Sequence, residues 1–251
     1  VWWDGTRPKR AEIVDAWLKD VGVVRLVGKT PAGVPVVLAA KAGHNAENHN
    51  QNDVGSLVLH AGGESLLCDP GRGLYSRDYF GPKRYENIFA NSFGHSVPVI
   101  GGQLQSAGAE FRGEITQYDA SGPDKRAALT FEKAYAVPGL EKAERVLSLN
   151  AAGEVMLEDT FTFAGTPQPV EEAFVTWQDT IVAGGAARIM GKEHTLQLFI
   201  LAPSGVTWSL KELKEESKAN AKPMPLKRLT FDVPPSSGQV TARIRARVLH
   251  K

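Results

Sequence analysis

The chain has little cysteine, no excess of charge of either sign and no long apolar run. Cys68 is the only cysteine among 251 residues, which excludes an intrachain disulfide and a multi-cysteine zinc site. Lys and Arg total 29 against 28 Asp and Glu, and this net charge of +1 argues against a general nucleic-acid binder. No stretch approaches about 18 uninterrupted apolar residues, so no membrane-spanning helix is expected.

The residues that are present favour short strands joined by turns. Hydrophobic residues make up 42% of the chain, and 25 Gly with 15 Pro indicate many turns. Apolar and polar residues alternate from position 240 to 248, which is typical of a half-buried strand. Further strands are predicted at 23–27, 34–40, 55–60, 64–67, 110–116, 127–132, 155–163, 172–177 and 195–201. The pattern predicts an all-β fold, an antiparallel two-sheet β-sandwich with few short helices.

Helices are predicted at only a few places. One short helix is predicted within 11–18 and another within 84–89. The polar segment 211–227 is interpreted as a long surface loop, with a helix around 210–217 as an alternative. The tryptophans are predicted to pack in the core or at a domain interface, and they are Trp2, Trp3, Trp17, Trp177 and Trp208.

A polar run stands out between positions 44 and 55, where only Ala46 and Val54 carry apolar side chains. Each buried polar group without a partner costs about 1–3 kcal/mol, so the run is predicted to face water, a ligand or a metal. A strand follows directly, which indicates a polar site mounted on a sheet edge. Two further candidates follow it: Asp69 before a Pro-Gly turn, and His95 in a segment without a regular pattern.

Histidines are concentrated in the same part of the chain. Four of the six lie between positions 44 and 95, namely His44, His49, His60 and His95. A lone histidine is more often structural than catalytic. With four histidines so close in the sequence, a chemical role for at least one of them is as good an interpretation as structural roles for all four.

The order of these residues resembles the C-terminal region of heparinase II/III-like polysaccharide lyases. That family carries a run of the form N-H-x-H-x-D-x-G-S-F, then a strand ending in Asp-x-G, then a later His. Similar residues stand here at 42–73, at 84–86 and at 95–101. The resemblance implies a supersandwich-like β domain over 23–251, preceded by an N-terminal α/α toroid. Because the chain begins with Val, we expect residues 1–22 to be a linker or short helix from a missing helical domain.

The resemblance also implies an activity. The family cleaves uronic-acid-containing polysaccharides by β-elimination, which needs neutralisation of the uronate carboxylate, a base and an acid. Its Tyr acid/base belongs to the toroid, so this chain alone is expected to be inactive. His49 matches the first motif His and becomes the catalytic candidate, as a proton carrier or a stabiliser of charge. The implied partner is an acidic polysaccharide, and the implied location is periplasmic or extracellular, in bacteria.

Four residues near the motif are predicted to bind substrate. Arg binds carboxylate or sulfate through paired hydrogen bonds, and aromatic rings stack on sugars. The candidates are Asn48, Arg72, Arg84 and Tyr85. An ordinary charged surface loop is the alternative interpretation of the last three.

The resemblance further implies a structural zinc ion. Asp69 and His95 match two of its ligands, but Gln51 stands where the second motif His is expected. A neutral carbonyl oxygen is a poor zinc ligand, so zinc is expected to bind weakly or not at all. In its place the Gln51 amide is predicted to hydrogen-bond Asp69 or His95. Asp53 is expected to orient backbone or a neighbouring ring.

Two other functions stay open. One is a non-catalytic carbohydrate-binding or scaffolding module whose metal site has decayed. The other is a cupin-type metal enzyme using His44, Glu47, His49 and His95. The spacing from His44 to His49 is wrong for a cupin, whose first two His flank one residue and point to the same strand face.

Overall fold

The computed structural model describes residues 12–236 and 238–250, and within them most of the regular structure is antiparallel β-strand. The predicted all-β class and antiparallel sandwich are confirmed, and a smaller third sheet accompanies the two large ones. One α-helix, α1 (Lys214–Ala219), lies in this part of the chain. The strands are β1 (Ala16–Leu18), β2 (Val23–Lys29), β3 (Pro35–Lys41), β4 (Gly43–Asn45), β5 (Leu57–Ala61), β6 (Glu64–Leu67), β7 (Val99–Ile100), β8 (Gly108–Asp119), β9 (Lys125–Thr130), β10 (Leu140–Leu149), β11 (Val155–Phe163), β12 (Val170–Thr176), β13 (Asp179–Ala183), β14 (Ala186–Met190), β15 (His194–Ala202), β16 (Ser209–Leu213), β17 (Leu226–Val233) and β18 (Gln239–His250).

These strands form a five-stranded, a nine-stranded and a four-stranded sheet. The five-stranded sheet has the order β1-β2-β3-β5-β6, and the four-stranded sheet has the order β16-β17-β12-β7. The nine-stranded sheet has the order β13-β14-β15-β18-β11-β10-β9-β8-β4. Every pairing between these described strands is antiparallel.

One apolar core joins the three sheets. Alternation along β3 buries every second side chain, including Leu38, and β18 follows the same rule as its sequence predicts. Burying a Leu or Phe side chain contributes about 1.5–3 kcal/mol, so these faces hold the sheets together. Trp208 joins this core between Phe174 and Phe231, in agreement with its predicted role. The core draws on all three sheets through Leu26, Leu38, Leu59, Leu147, Leu157, Phe161, Phe174, Leu229 and Ile244.

The helix predicted within 11–18 is wrong for the described residues. Ala16–Leu18 is instead β1, which pairs with β2 at the edge of the five-stranded sheet. Trp17 lies against Tyr118, with ring centroids 5.8 Å apart, so tertiary packing overrides the local helical pattern. Trp2 and Trp3 lie outside the described residues. The predicted domain boundary, with a linker at 1–22 and the β domain at 23–251, stays a prediction.

Two other local predictions need correction. The helix predicted within 84–89 is only a 3-10 turn at Arg84–Glu86. The predicted surface loop at 211–227 contains β16, α1 and the start of β17, and α1 overlaps the helix given as the alternative around 210–217. Strand pairing between β16 and β17 gives that polar segment its backbone partners.

The polar run lies where the chain passes between sheets. It leaves β4 of the nine-stranded sheet and enters β5 of the five-stranded sheet. Asp69 follows β6, and His95 precedes β7 of the four-stranded sheet. The fold therefore gathers segments next to all three sheets at one place. Among the described residues, no helix has the length and apolar character to cross a bilayer.

We expect Leu147→Ala on β10 to lower the free energy of unfolding by about 2–5 kcal/mol, because it leaves a cavity in the core. Leu147 is 1% exposed, whereas Ile181 on the edge strand β13 is 53% exposed. Ile181→Ala is the matched control and should cost less than about 1 kcal/mol. Chemical denaturation followed by fluorescence measures both values. Equal losses in the two variants would contradict this account of the core.

Candidate functional site

The polar run is an ordered loop, half of which is buried. The sequence predicts that it faces water, a ligand or a metal, which is wrong for Asn45 and Asn52, each 1% exposed. Asn45 Nδ2 donates to Ser106 O at 2.8 Å, and Asn52 N donates to Ala90 O at 2.8 Å. These partners remove part of the cost of burial that argued against an inward-facing run, although the Asn45 and Asn50 side-chain oxygens have no partner among the described residues.

Gln105 holds the same loop from outside it. Its Nε2 donates to Val54 O at 2.6 Å, and its Oε1 accepts from Val54 N at 3.1 Å and from Asn45 Nδ2 at 3.2 Å. The side-chain amide therefore satisfies both backbone groups of Val54, as a neighbouring strand would. Sequence reasoning missed Gln105, since nothing links it to a loop 51 residues away.

His49 lies at the exposed part of the loop in an unusual backbone conformation. Its φ is 59°, in the left-handed region that costs a non-glycine residue about 1 kcal/mol. Asn48 beside it is also exposed. Such conformations persist where neighbouring contacts hold them, and they are common at functional sites.

Arg84 and Tyr85 provide these contacts. Arg84 Nη2 donates to Asn50 O at 2.6 Å, and Asn50 Nδ2 donates to Tyr85 Oη at 2.9 Å. Arg84 Nη1 also donates to Tyr79 O at 3.2 Å, and the guanidinium lies 4.6 Å from the Tyr79 ring centroid. Both predicted residues are thus adjacent to the His49 loop. Two of the nitrogens of Arg84 are used to hold backbone.

Arg72 is placed differently from the other three predicted substrate-binding residues. It is exposed, it lies 3.9 Å from the Tyr75 ring centroid, and Nη1 donates to Gly73 O at 3.2 Å. Among its described contacts, none joins it to the loop at 46–50. Its remaining donors are available to solvent or to a ligand.

Asp53, Asp69 and His95 come together close to this loop. One ligand atom from each lies within 4.8 Å of the others. His95 is completely buried, and neither Nδ1 nor Nε2 has a hydrogen-bond partner among the described residues. His95 Nδ1 is 3.6 Å from Asp69 Oδ2, too long for a hydrogen bond. Two ligand atoms on one tetrahedral zinc lie about 3.3 Å apart, and the separation of His95 Nδ1 from Asp69 Oδ2 is close to that spacing.

Gln51 does not make the hydrogen bond that the sequence predicts. The described contacts of Asp69 and His95 include none with Gln51, and Asp69 Oδ1 accepts instead from Gly71 N at 2.7 Å. That predicted clamp is therefore wrong. Asp53, which the sequence assigned to orienting backbone or a neighbouring ring, takes the third position of the cluster.

The charges of the cluster are set by burial and by Lys41. Burial lowers the pKa of His95, and the Asp53 and Asp69 carboxylates only partly oppose this, so the imidazole stays neutral with a free lone pair. Burial also lowers the pKa of Lys41, but Asp53 at 2.5 Å and Glu47 at 3.4 Å outweigh it and raise that pKa overall. Burial raises the pKa of Cys68 to about 12, so in the metal-free chain its thiol stays protonated at neutral pH.

The remaining histidines of the sequence cluster lie apart. His44 Nδ1 accepts from Ala46 N at 3.1 Å, and His60 on β5 contacts Ser65 Oγ at 3.2 Å. The only metal-capable group found among the described residues contains neither of them. The cupin alternative is wrong, because it needs a closed barrel and the three sheets stay open.

A wide cavity among the described residues lies away from this cluster. It has a volume of about 610 Å³ and is lined by the four-stranded sheet, the loop at 205–207 and Phe93. A smaller cavity of about 170 Å³ adjoins the cluster, with Lys41, Asp53 and Asp69 in its wall. The chemistry-bearing groups single out the smaller one as the candidate site.

Comparisons with known proteins agree with the fold. A family model described as heparinase II/III-like, C-terminal, matches residues 14–238. Heparan sulfate lyase HepC from Pedobacter heparinus aligns with a TM-score of 0.78 and 16% identity, over 99% of this chain and 38% of that chain. A crystal structure of heparinase III aligns with a TM-score of 0.69 and 19% identity, over 92% and 35%. At these sequence identities the structural similarity shows a shared fold. This chain covers a little over a third of the length of each of these two proteins. No curated protein sequence matches the chain.

We expect His49→Gly to raise the free energy of unfolding by up to about 1 kcal/mol, because glycine adopts positive φ without strain. His49→Ala retains the strained φ and should bring no such gain. Asn48 does not have a positive φ, so glycine brings no relief of strain there. Asn48→Gly is therefore the control and should lower the free energy of unfolding. Thermal or chemical unfolding compares the variants. A loss of stability in His49→Gly would show that the loop does not store this strain.

Proposed function

The chain belongs to the heparinase II/III-like, C-terminal family, and on that premise we propose that it is the β-sandwich part of a polysaccharide lyase. The proposed reaction is β-elimination in a uronic-acid-containing glycan, at a cleft completed by an N-terminal helical toroid. The observation that carries the proposal is the exposed His49, held in a strained conformation beside Arg84 and Tyr85. We also propose that the protein is exported to the periplasm or the cell exterior, since such polymers lie outside the cell.

The proposed role of His49 follows from what the reaction needs. Elimination removes the proton at C5 of the uronate and transfers a proton to the leaving glycosidic oxygen. The resemblance assigns the Tyr acid/base to the toroid, so His49 acts beside it as a proton carrier or as a stabiliser of developing charge. This chain alone is proposed to be inactive, because the remaining groups are supplied by that other domain.

The substrate-binding candidates take different roles in this proposal. Arg84 already donates to two backbone carbonyls, so it mainly positions the His49 loop. Arg72 is exposed with free donors and suits a carboxylate or sulfate group. Tyr85 Oη accepts from Asn50, which leaves its own proton for a glycan oxygen. Asn48, exposed beside His49, provides a further amide for sugar hydroxyls.

We also propose a zinc ion at Asp53, Asp69 and His95, held more weakly than by a set with a second histidine. The support is the buried His95 with both ring nitrogens unpartnered, next to two carboxylates. Bound there, zinc would cross-link the loop after β4 to the segments after β6 and before β7, and would neutralise carboxylate charge. Lys41, which ion-pairs with Asp53, competes for that carboxylate.

The lyase proposal is tested on the natural full-length protein, by the ultraviolet absorbance of the unsaturated uronate product on acidic glycans. We expect His49→Ala to lower kcat by about a hundredfold or more, the usual contribution of a positioned proton-transfer group. His60→Ala is the control and should retain activity, since His60 lies apart on β5. Full activity of His49→Ala would remove His49 from the mechanism. Glycan binding without any product would favour the non-catalytic binding module.

The zinc proposal is tested by calorimetric titration of the 251-residue chain. We expect Gln51→His to tighten zinc binding by about tenfold or more, because imidazole replaces a neutral carbonyl at the motif position. His95→Ala should abolish binding, and Gln117→His on β8 serves as a surface control. Unchanged affinity in Gln51→His would show that position 51 does not converge on the cluster.

A further inference from the structure

A buried group of charged side chains lies behind the candidate site. Arg145, Asp159 and Glu172 are all completely buried. Arg145 on β10 is directly opposite Asp159 on β11, and Glu172 comes from β12 of the four-stranded sheet. Burying ionised groups costs several kcal/mol each unless partners satisfy them, so this cluster calls for an explanation.

The donors of Arg145 reach two different segments of the site. Nε donates to Asp159 Oδ1 at 2.9 Å and Nη2 donates to Asp159 Oδ2 at 2.5 Å. Nη1 donates to Gly55 O at 2.7 Å and to Ser96 O at 2.8 Å. Gly55 follows Asp53 by two residues, and Ser96 follows His95 directly. A single rigid guanidinium therefore spans the two segments that carry two of the three clustered groups.

We propose that Arg145 is a positioning residue, which fixes the segment around Asp53 against the segment around His95 while Asp159 and Glu172 hold its guanidinium. The positioning stands on geometry alone, and only its consequence for metal binding rests on the proposed zinc site. Arginine suits this role because its planar fork offers five donors in fixed directions, which a lysine ammonium cannot match.

Charge balance assigns a proton to Glu172. Two completely buried carboxyl groups face one guanidinium, which balances the charge of only one of them, so the other is neutral. Asp159 receives the short Arg145 contacts, whereas Glu172 Oε2 is 3.5 Å from Nη2 and Oε1 has no described partner. The other titratable group facing the cluster is Tyr135, whose buried phenol donates to Pro98 O at 2.6 Å and stays neutral. Burial, then the Asp159 charge, raise the pKa of Glu172 well above its ordinary value.

This proton makes stability depend on pH in a defined direction. A carboxyl whose folded pKa is raised contributes stability that is complete below its unfolded pKa, ordinarily 4.5. That contribution falls as pH rises towards the folded pKa, by about tenfold in the unfolding constant per pH unit. An ionised Glu172 paired with Arg145 would give the opposite slope.

The first experiment compares Glu172→Gln with the unchanged chain in chemical unfolding from pH 5 to pH 9 without metal. Glutamine imitates the protonated acid, so we expect Glu172→Gln and the unchanged chain to have similar free energies of unfolding at pH 5. As the pH rises, the unchanged chain should become less stable relative to the variant. Glu171→Gln is the matched control: Glu171 pairs with Arg228 at 2.7 Å, so its loss should cost stability at neutral pH. A Glu172→Gln deficit that grows with pH would overturn the assignment of the proton.

The second experiment measures amide hydrogen exchange in Arg145→Lys. We expect residues 52–56 and 95–97 to lose protection together, while β2 and β3 keep theirs. Leu198→Ala, a core change on β15, controls for lost stability alone and should not single out these two segments. If Arg145→Lys lacks a cooperative unfolding transition, Asp159→Asn replaces it with the same expectation. Loss of protection in neither segment, or in one alone, would overturn the positioning role.

Zinc titration of the same variants separates this inference from the proposed function. We expect the zinc dissociation constant to rise by about tenfold or more in Arg145→Lys and to stay unchanged in Leu198→Ala. An unchanged constant in a folded Arg145→Lys variant would also count against positioning. If the unchanged chain binds no zinc, the proposed metal site fails, and the hydrogen-exchange result alone decides the role of Arg145.

Discussion

A buried guanidinium is the constraint on which the candidate site depends. Arg145 gives up its hydration completely, so each of its donors must find an acceptor in place. Those acceptors come from β11 of the nine-stranded sheet, from β12 of the four-stranded sheet, and from a residue just before β5 of the five-stranded sheet. Because a displaced acceptor would leave a charge unsatisfied, the three sheets and the loop of the site are held in one arrangement.

Much of the fold could be predicted from alternation. Where one face of a strand is buried and the other is wet, as along β18, the sequence shows the period of two, and the structure follows it. β10 shows where this fails: Leu140, Ala143 and Leu147 repeat at helical spacing, yet the segment is an inner strand between β9 and β11. From the sequence alone, Arg145 in this segment is predicted to be a surface residue. It is buried because its partners on other strands and loops surround it.

The site was predictable in its order along the chain and not in its contacts. His49, Asp69 and His95 could be found because their types and spacing resemble a known motif, and Asp69 and His95 do approach one another. The role of Asp53 could not be found, because an aspartate in a polar run gives no sign of where its side chain points. Gln51 was misassigned for the same reason, and Gln105 and Arg145 lie 51 and 90 residues from the loop they hold.

These long separations decide the order in which the protein can assemble. During synthesis the loop with His49 leaves the ribosome before Arg145 and Glu172, which fix its surroundings. Until then the polar groups of the loop lack their final partners, although the five-stranded sheet beside it is built entirely from residues 16–67 and already has all its strands. The loop closest to the proposed chemistry is therefore made before the residues that complete its surroundings, so its maturation waits for β10 and β12.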